Sequence, residues 1–182
     1  MATSLPCIGS LESLPALERP DLLGEPVSAA LKSWEYGDQV AVVEIDADLA
    51  DTAAMSEAYS LPLTTGANCV VVAGKRAGAE RVAACLVRAD TRADVNNLVK
   101  RMLDVRKASF LSMDRAVGET GMEYGGITPL GLPGPWRLLV DTAVADMPVG
   151  IIGSGVRRSK LLLTGTALAN LPRAEVVEDL AS

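Results

Sequence analysis

The sequence predicts an α+β fold: a curved, mainly antiparallel sheet or partial barrel with flanking helices. Three observations lead there. About seven short segments are apolar and bounded by Gly, Pro or acidic residues, as strands are. A few helical segments intervene between them. The chain has 182 residues, 49% of them hydrophobic, which is enough for one domain with a substantial core.

In chain order, residues 2–25 mix Ser, Leu, Pro and Gly with little periodicity. Residues 1–25 therefore read as an N-terminal extension that wraps the domain or is partly disordered, and residues 26–182 as the domain itself. Residues 27–34 suit a short helix with Ala29, Leu31 and Trp34 partly buried. Residues 39–45 (QVAVVEI) form a Val-rich strand. Residues 46–59 are acidic, then Ala-rich, and suggest a helix with Asp51 or Thr52 as its N-cap. Leu61-Pro62-Leu63 ends it. Residues 68–73 (NCVVVA) read as a buried strand. A turn over Gly74 to Gly78 joins it to a partner at 81–89. Thr91 to Asp94 resembles a capping box with Asp in place of Glu. The helix after it buries Val95, Leu98, Val99, Met102 and Leu103. A strand at 107–111 and a helix at 112–120 follow. Beyond a loop at 121–133 come strands at 136–141, 149–153, 160–163 and 175–177, with a brief helix at 166–171. No internal repeat interrupts this order.

Composition narrows the chemistry. The chain has no His, which excludes Ser-His-Asp and Cys-His nucleophiles and any His-based metal site. Cys7, Cys69 and Cys85 have spacings that match neither a disulfide framework nor a metal motif, so no metal or cofactor is expected. A formal net charge of -6 argues against broad nonspecific nucleic-acid binding but allows a local basic patch. Mean hydropathy is +0.25, yet no apolar run approaches the roughly 18 residues of a membrane span. The first twenty residues lack the features of a signal peptide, so the expected compartment is the cytoplasm.

Two Gly-rich stretches carry the candidate chemistry. Residues 121–133 hold four Gly and two Pro, and Pro129 stiffens the loop by fixing φ and biasing Thr128 toward extended backbone. Successive N–H groups around Gly125 and Gly126 could converge on an anionic oxygen, although tight turns between strands use the same residues. The second stretch, Gly153-Ser154-Gly155-Val156-Arg157-Arg158-Ser159-Lys160, places three cations in four positions and suits a phosphate or carboxylate. A solvated turn is its plain alternative. It lacks the third Gly of a dinucleotide fingerprint. Among other polar residues, Lys107 reads as a surface lysine or one that approaches the cleft beside the loop, and Asp141 as a cap or a partner of Arg157. Tyr124 and Met122 serve either a pocket or the core.

The order LPLTTGANCVVV, TGMEYGGITPLG, LLVD, GSGVRRSKLLL and LANLPRAEVVEDL, from about Val40 to Leu180, resembles the YbaK/EbsC family. That family contains free-standing aminoacyl-tRNA deacylases and the editing insertion of bacterial prolyl-tRNA synthetases. Gly125 and Pro129 match its GXXXP loop. The resemblance implies hydrolysis of the ester joining a small wrong amino acid to the 3′-terminal adenosine of tRNA. Gly125, Gly126, Ile127, Thr128 and Pro129 would lie at the scissile carbonyl, their backbone amides stabilising the oxyanion. Water or a group of the substrate would be the nucleophile. The implied partners are a mischarged tRNA 3′ end and an aminoacyl-tRNA synthetase. Gly153, Ser154, Gly155, Arg157, Arg158 and Lys160 are the candidate substrate-binding residues.

Two positions depart from the family. Asn68 stands where its enzymes have a Lys, and Lys160 where many members carry an acid. On one reading the cation has moved from one strand to the other and activity persists. On the other the site is degenerate, and the domain binds a tRNA end, a nucleotide-like ligand or a protein without turnover. If the cation has moved, the Lys160 ammonium points into the cleft.

Overall fold

The computed structural model describes residues 4–182 and gives an α+β fold with two sheets in place of one. The elements run β1 (Leu14–Pro15), α1 (Glu25–Ser33), β2 (Ala41–Glu44), α2 (Thr52–Ala58), β3 (Ala67–Arg76) and β4 (Ala79–Arg88). Then come α3 (Lys100–Met102), β5 (Ala108–Phe110), α4 (Met113–Thr120), β6 (Arg137–Asp141) and α5 (Thr142–Ala145). The chain ends through β7 (Gly150–Gly153), β8 (Ser159–Leu163), α6 (Gly165–Ala169) and β9 (Ala174–Val177).

The first sheet has the order β1-β2-β8-β7 and is antiparallel throughout. The second has the order β5-β3-β4-β6-β9. Its β3–β4 hairpin and β3–β5 pair are antiparallel, while β4–β6 and β6–β9 are parallel. Parallel neighbours need long crossovers. The first is made by everything from α3 through the 121–133 loop, the second by everything from α5 through α6. An isolated bridge between Gly66 and Ile151 ties the two sheets together beside the cleft described below.

Strand alternation sorts the core into layers. Val42, Leu161 and Leu163 of the first sheet face Leu86, Leu138 and Val140 of the second, with Val27 and Leu31 of α1 packed in. Val43 and Leu162, one step along, face outward and are covered by Ala50, Met55 and Leu61. The far side of the second sheet buries Val72, Cys85 and Leu139 under Val95, Val99 and Leu103. Residues 14–24 run along the domain: Leu14 pairs with Val42, and Ala16, Leu22 and Leu23 are buried in the main core.

Several local expectations are adjusted. Ala29 is exposed, because the buried stripe of α1 is Val27 and Leu31. The hairpin turn narrows to Ala77-Gly78, both at positive φ (49° and 80°), as a two-residue turn requires. Asp51, not Thr52, caps α2. The supposed capping box is replaced by Asp94, whose carboxylate accepts from the N–H groups of Asn97 and Leu98 at the head of a π-helical turn, Val95–Val99. The Thr91 hydroxyl instead donates to the Arg88 carbonyl. The short elements β1 and α5 had no sequence signal of their own.

Candidate active site

The two Gly-rich stretches zip together. The Glu123 N–H donates to the Gly155 carbonyl at 2.9 Å and the Gly155 N–H to the Gly126 carbonyl at 2.8 Å. The Glu123 carboxylate accepts from the Arg157 N–H at 2.8 Å. Glycine is needed where these backbones meet: a Cβ on Gly126 would lie 2.7 Å from the Val156 nitrogen, and one on Gly153 would lie 2.5 Å from the Gly126 oxygen. The Arg157 guanidinium donates to the carbonyls of Tyr124 and Ala47 at 3.1 and 3.0 Å and sits 5.6 Å from the centre of the Tyr124 ring. This arginine braces the loop.

Beside the zipped loops lies a cleft of about 420 Å³. Its walls are the start of α2, the first residues of β3, the end of β7 and the 124–127 turn. Lys160 projects into it from β8. Only 7% of the residue is exposed, and its Nζ donates to the Gly125 carbonyl at 3.1 Å. Burial first, and the positive Arg157 second, lower the Lys160 pKa to about 8 against the pull of Asp51. Moving from an ordinary 10.5 to about 8 costs the charged form on the order of 3 kcal/mol. A lysine held in so unfavourable a setting is a functional candidate.

Asp51 also lines the cleft. Its Oδ1 accepts from the N–H groups of Ala53 and Ala54, which fixes the carboxylate at the helix start. Across from it, the Asn68 Oδ1 accepts from the Thr52 hydroxyl at 2.8 Å. Gly125 and Ile127 line the cleft, and among the described residues neither backbone N–H has an acceptor. Met55, Leu61, Ile151 and Ile152 give the cleft an apolar base. Cys69 borders the same space, where burial and then the neighbouring Cys85 push its thiol up to about 12. It stays protonated at neutral pH and is a poor nucleophile.

The structure thus brings together Gly125, Ile127, Asn68, Gly153, Arg157 and Lys160. Gly126, Thr128 and Pro129 are buried behind them and support the turn. Thr128 is fully buried, and its hydroxyl is without a hydrogen-bond partner among the described residues. Ser154 and Gly155 lie outside the cleft wall: Ser154 is buried and donates to the carbonyls of Val156 and Ser159. Arg158 points away and donates to the Asp21 carbonyl. Asp141 caps α5 through Ala143 and accepts from the Ala181 N–H, so it has no part with Arg157. Met122 is core, whereas Tyr124 is 59% exposed on the cleft rim. Sequence reasoning treated Asp51 only as a cap. Its second position, on the wall of a cleft, depends on how α2 meets β8, which no local pattern encodes. Among the described residues no group of three acidic, Cys or His side chains could hold a metal, and no helix is long and apolar enough to cross a membrane.

Two zipped glycine loops beside a buried lysine make up the candidate site, and the comparisons with known proteins give the family of the chain around it. The family model of the aminoacyl-tRNA editing domain matches residues 46–171, and the chain belongs to that family, the YbaK type of its motifs. Among solved structures, it is similar to the hypothetical protein APE2540, with a TM-score of 0.75 and 20% identity over 87% of this chain and 100% of that one. It is also similar to a protein proposed to be a trans-editing enzyme for prolyl-tRNA synthetase, with a TM-score of 0.72 and 21% identity over 85% of this chain and 94% of that one. Such distant likenesses carry the fold. No curated protein matches the sequence.

Proposed function

We propose that this protein is a trans-editing hydrolase that removes a small, wrongly attached amino acid from the 3′ end of a tRNA. The observation that carries the reading is the Lys160 ammonium, buried in the cleft and bonded to the loop carbonyl of Gly125. In this reading the cation that relatives carry at the position of Asn68 comes here from β8. The ester carbonyl sits against the turn. Water adds to it, the unengaged Gly125 and Ile127 amides stabilise the oxyanion, and Lys160 adds positive charge. Collapse breaks the bond from the carbonyl carbon to the ribose oxygen, which leaves with a proton. With no His and a protonated Cys69, neither a His-activated nucleophile nor a thiolate is present, which supports water as the nucleophile. The apolar base set by Met55, Leu61, Ile151 and Ile152 suits a small side chain.

The test is release of amino acid from a panel of mischarged tRNAs. Lys160→Ala should lower the rate on the preferred tRNA by roughly a hundredfold or more, as removal of one oxyanion donor does. Unchanged turnover in that variant would refute the role of Lys160. One observation favours a second reading, a binding module without turnover: Asn68 is neutral and its carbonyl oxygen is already engaged by Thr52. That reading gains if no tRNA is deacylated while the tRNA end still binds. An aminoacyl-tRNA synthetase as partner, and a cytoplasmic setting, accompany either reading.

A further inference from the structure

The cations expected to bind RNA are not free to do so. Arg157 braces the loop, Arg158 is bonded to the Asp21 carbonyl, and Lys160 is buried. Arg76, in the β3–β4 hairpin, lies 3.6 Å from Asp104. The unpaired cations lie elsewhere. A second, shallower groove of about 500 Å³ is bordered by Lys75, Arg106, Lys107 and the ring of Phe110. Among the described residues, none of these three cations has a carboxylate within 4.0 Å. The groove's one acid, Glu80, is held by Arg115 at 2.8 Å, and that pairing lowers its pKa through the hydrogen bond first. In a chain of net charge -6, a groove with three open cations is a local exception.

Phe110 is the chain's single Phe, and it is 64% exposed on the edge strand β5. An exposed aromatic face beside open cations is what single-stranded nucleic acid uses: bases stack on the ring while phosphates meet the ammonium groups. A protein partner would favour a drier, less charged patch. The groove and the candidate cleft lie along the same strand. β3 lines the cleft at Asn68 to Val70 and the groove at Ala73 to Lys75, and the β5–α4 junction lines the groove at Leu111 and Ser112 and the cleft at Met113. Cys69 on the cleft and Lys75 on the groove share one face of β3 and are six strand residues apart, roughly 20 Å at ~3.3 Å each. A short unpaired stretch of RNA spans that distance.

We infer that the Lys75/Lys107/Phe110 groove binds the single-stranded RNA leading to the residue held in the cleft, which gives the acidic protein its tRNA contact. This rests on the editing reading for its direction, from groove to cleft, but its test does not need turnover. The probe is fluorescently labelled, uncharged tRNA, with Kd followed by anisotropy over a salt series. The double variant Lys75→Gln/Lys107→Gln should weaken binding at least tenfold and flatten the slope of log Kd against log salt by roughly 0.7–0.9 per lysine. Phe110→Ala should weaken binding roughly five- to 150-fold and leave the slope alone, because stacking releases no counterions. Phe110→Tyr should bind like the wild type. Wild-type Kd and slope in all these variants overturn the inference, as does loss of binding to a synthetase with tRNA binding intact. A protein that binds tRNA through the groove but deacylates nothing keeps this inference and sinks the editing reading. Deacylation with groove variants that bind normally does the reverse.

Discussion

At the scale of single residues, Thr128 and Lys160 are buried polar groups of opposite meaning. Among the described residues the Thr128 hydroxyl has no partner, and Thr128 does not line the cleft. Leaving such a group unsatisfied costs roughly 1–3 kcal/mol. Thr128→Val is therefore expected to raise Tm by a few degrees, at roughly 2–4 °C per kcal/mol for a chain this size, and to leave turnover unchanged. Loss of turnover in a stable Thr128→Val protein would instead place the hydroxyl on the substrate. Lys160, by contrast, is buried on the cleft wall with its ammonium bonded to the Gly125 carbonyl. Because its folded pKa is depressed to about 8, the unfolded chain holds the extra proton between about 8 and 10.5. Stability should rise with pH across that window and lose this rise in Lys160→Met. Activity should run the other way. If the ammonium stabilises the oxyanion, kcat/KM falls as pH passes about 8, after correction for spontaneous ester hydrolysis. A rate that climbs through pH 8 would make the free amine a general base.

At the scale of elements, the site is a junction of two loops that each read plainly as Gly-rich and whose pairing did not. The strands were legible because short apolar runs bounded by Gly and Pro leave few alternatives, as with NCVVVA in β3 and GSGVRRSKLLL before and through β8. The division into two sheets was not legible, since the parallel β4–β6 and β6–β9 pairs join segments far apart in sequence. The separate placements within the basic cluster were not legible for a similar reason. Charge spacing gives three cations together, but the β8 pleat turns Lys160 inward while its neighbours Arg157 and Arg158 brace backbone carbonyls. The zipped loops carry their own prediction. Gly125 sits at φ +77°, and a Cβ there would meet the Arg157 guanidinium at 2.7 Å. Gly125→Ala should displace that brace and cut turnover strongly while the fold survives, because a flexible side chain yields. Gly153→Ala meets backbone at 2.5 Å and should lower Tm as well as turnover. Equal thermal stability of the two variants would argue against the zipped arrangement.

At the scale of the whole molecule, the N-terminal segment ties the site to the core from behind. The Gly24 N–H donates to the Ser154 carbonyl at 2.9 Å, the Ser159 hydroxyl donates to the Leu22 carbonyl, and Arg158 donates to the Asp21 carbonyl. A Cβ on Gly24 would lie 2.9 Å from the Gly155 Cα, so the segment presses on the loop whose other side meets Gly126. Leu22 and Leu23 anchor it in the main core. Leu22→Ala should therefore cost about 2–5 kcal/mol, and the damage should extend to turnover because the 153–159 loop loses its backing. Arg158 separates the two roles its sequence neighbourhood allows. As a tie to residues 19–24 it carries a charge-assisted bond at the surface, worth about 1 kcal/mol. Arg158→Ala is then expected to lower Tm by a few degrees while tRNA affinity and its salt slope stay at wild-type values. A slope reduced by roughly 0.7–0.9 with unchanged Tm would mean that the guanidinium leaves the Asp21 carbonyl for a phosphate, and the RNA would then follow the N-terminal face in place of the β5 edge.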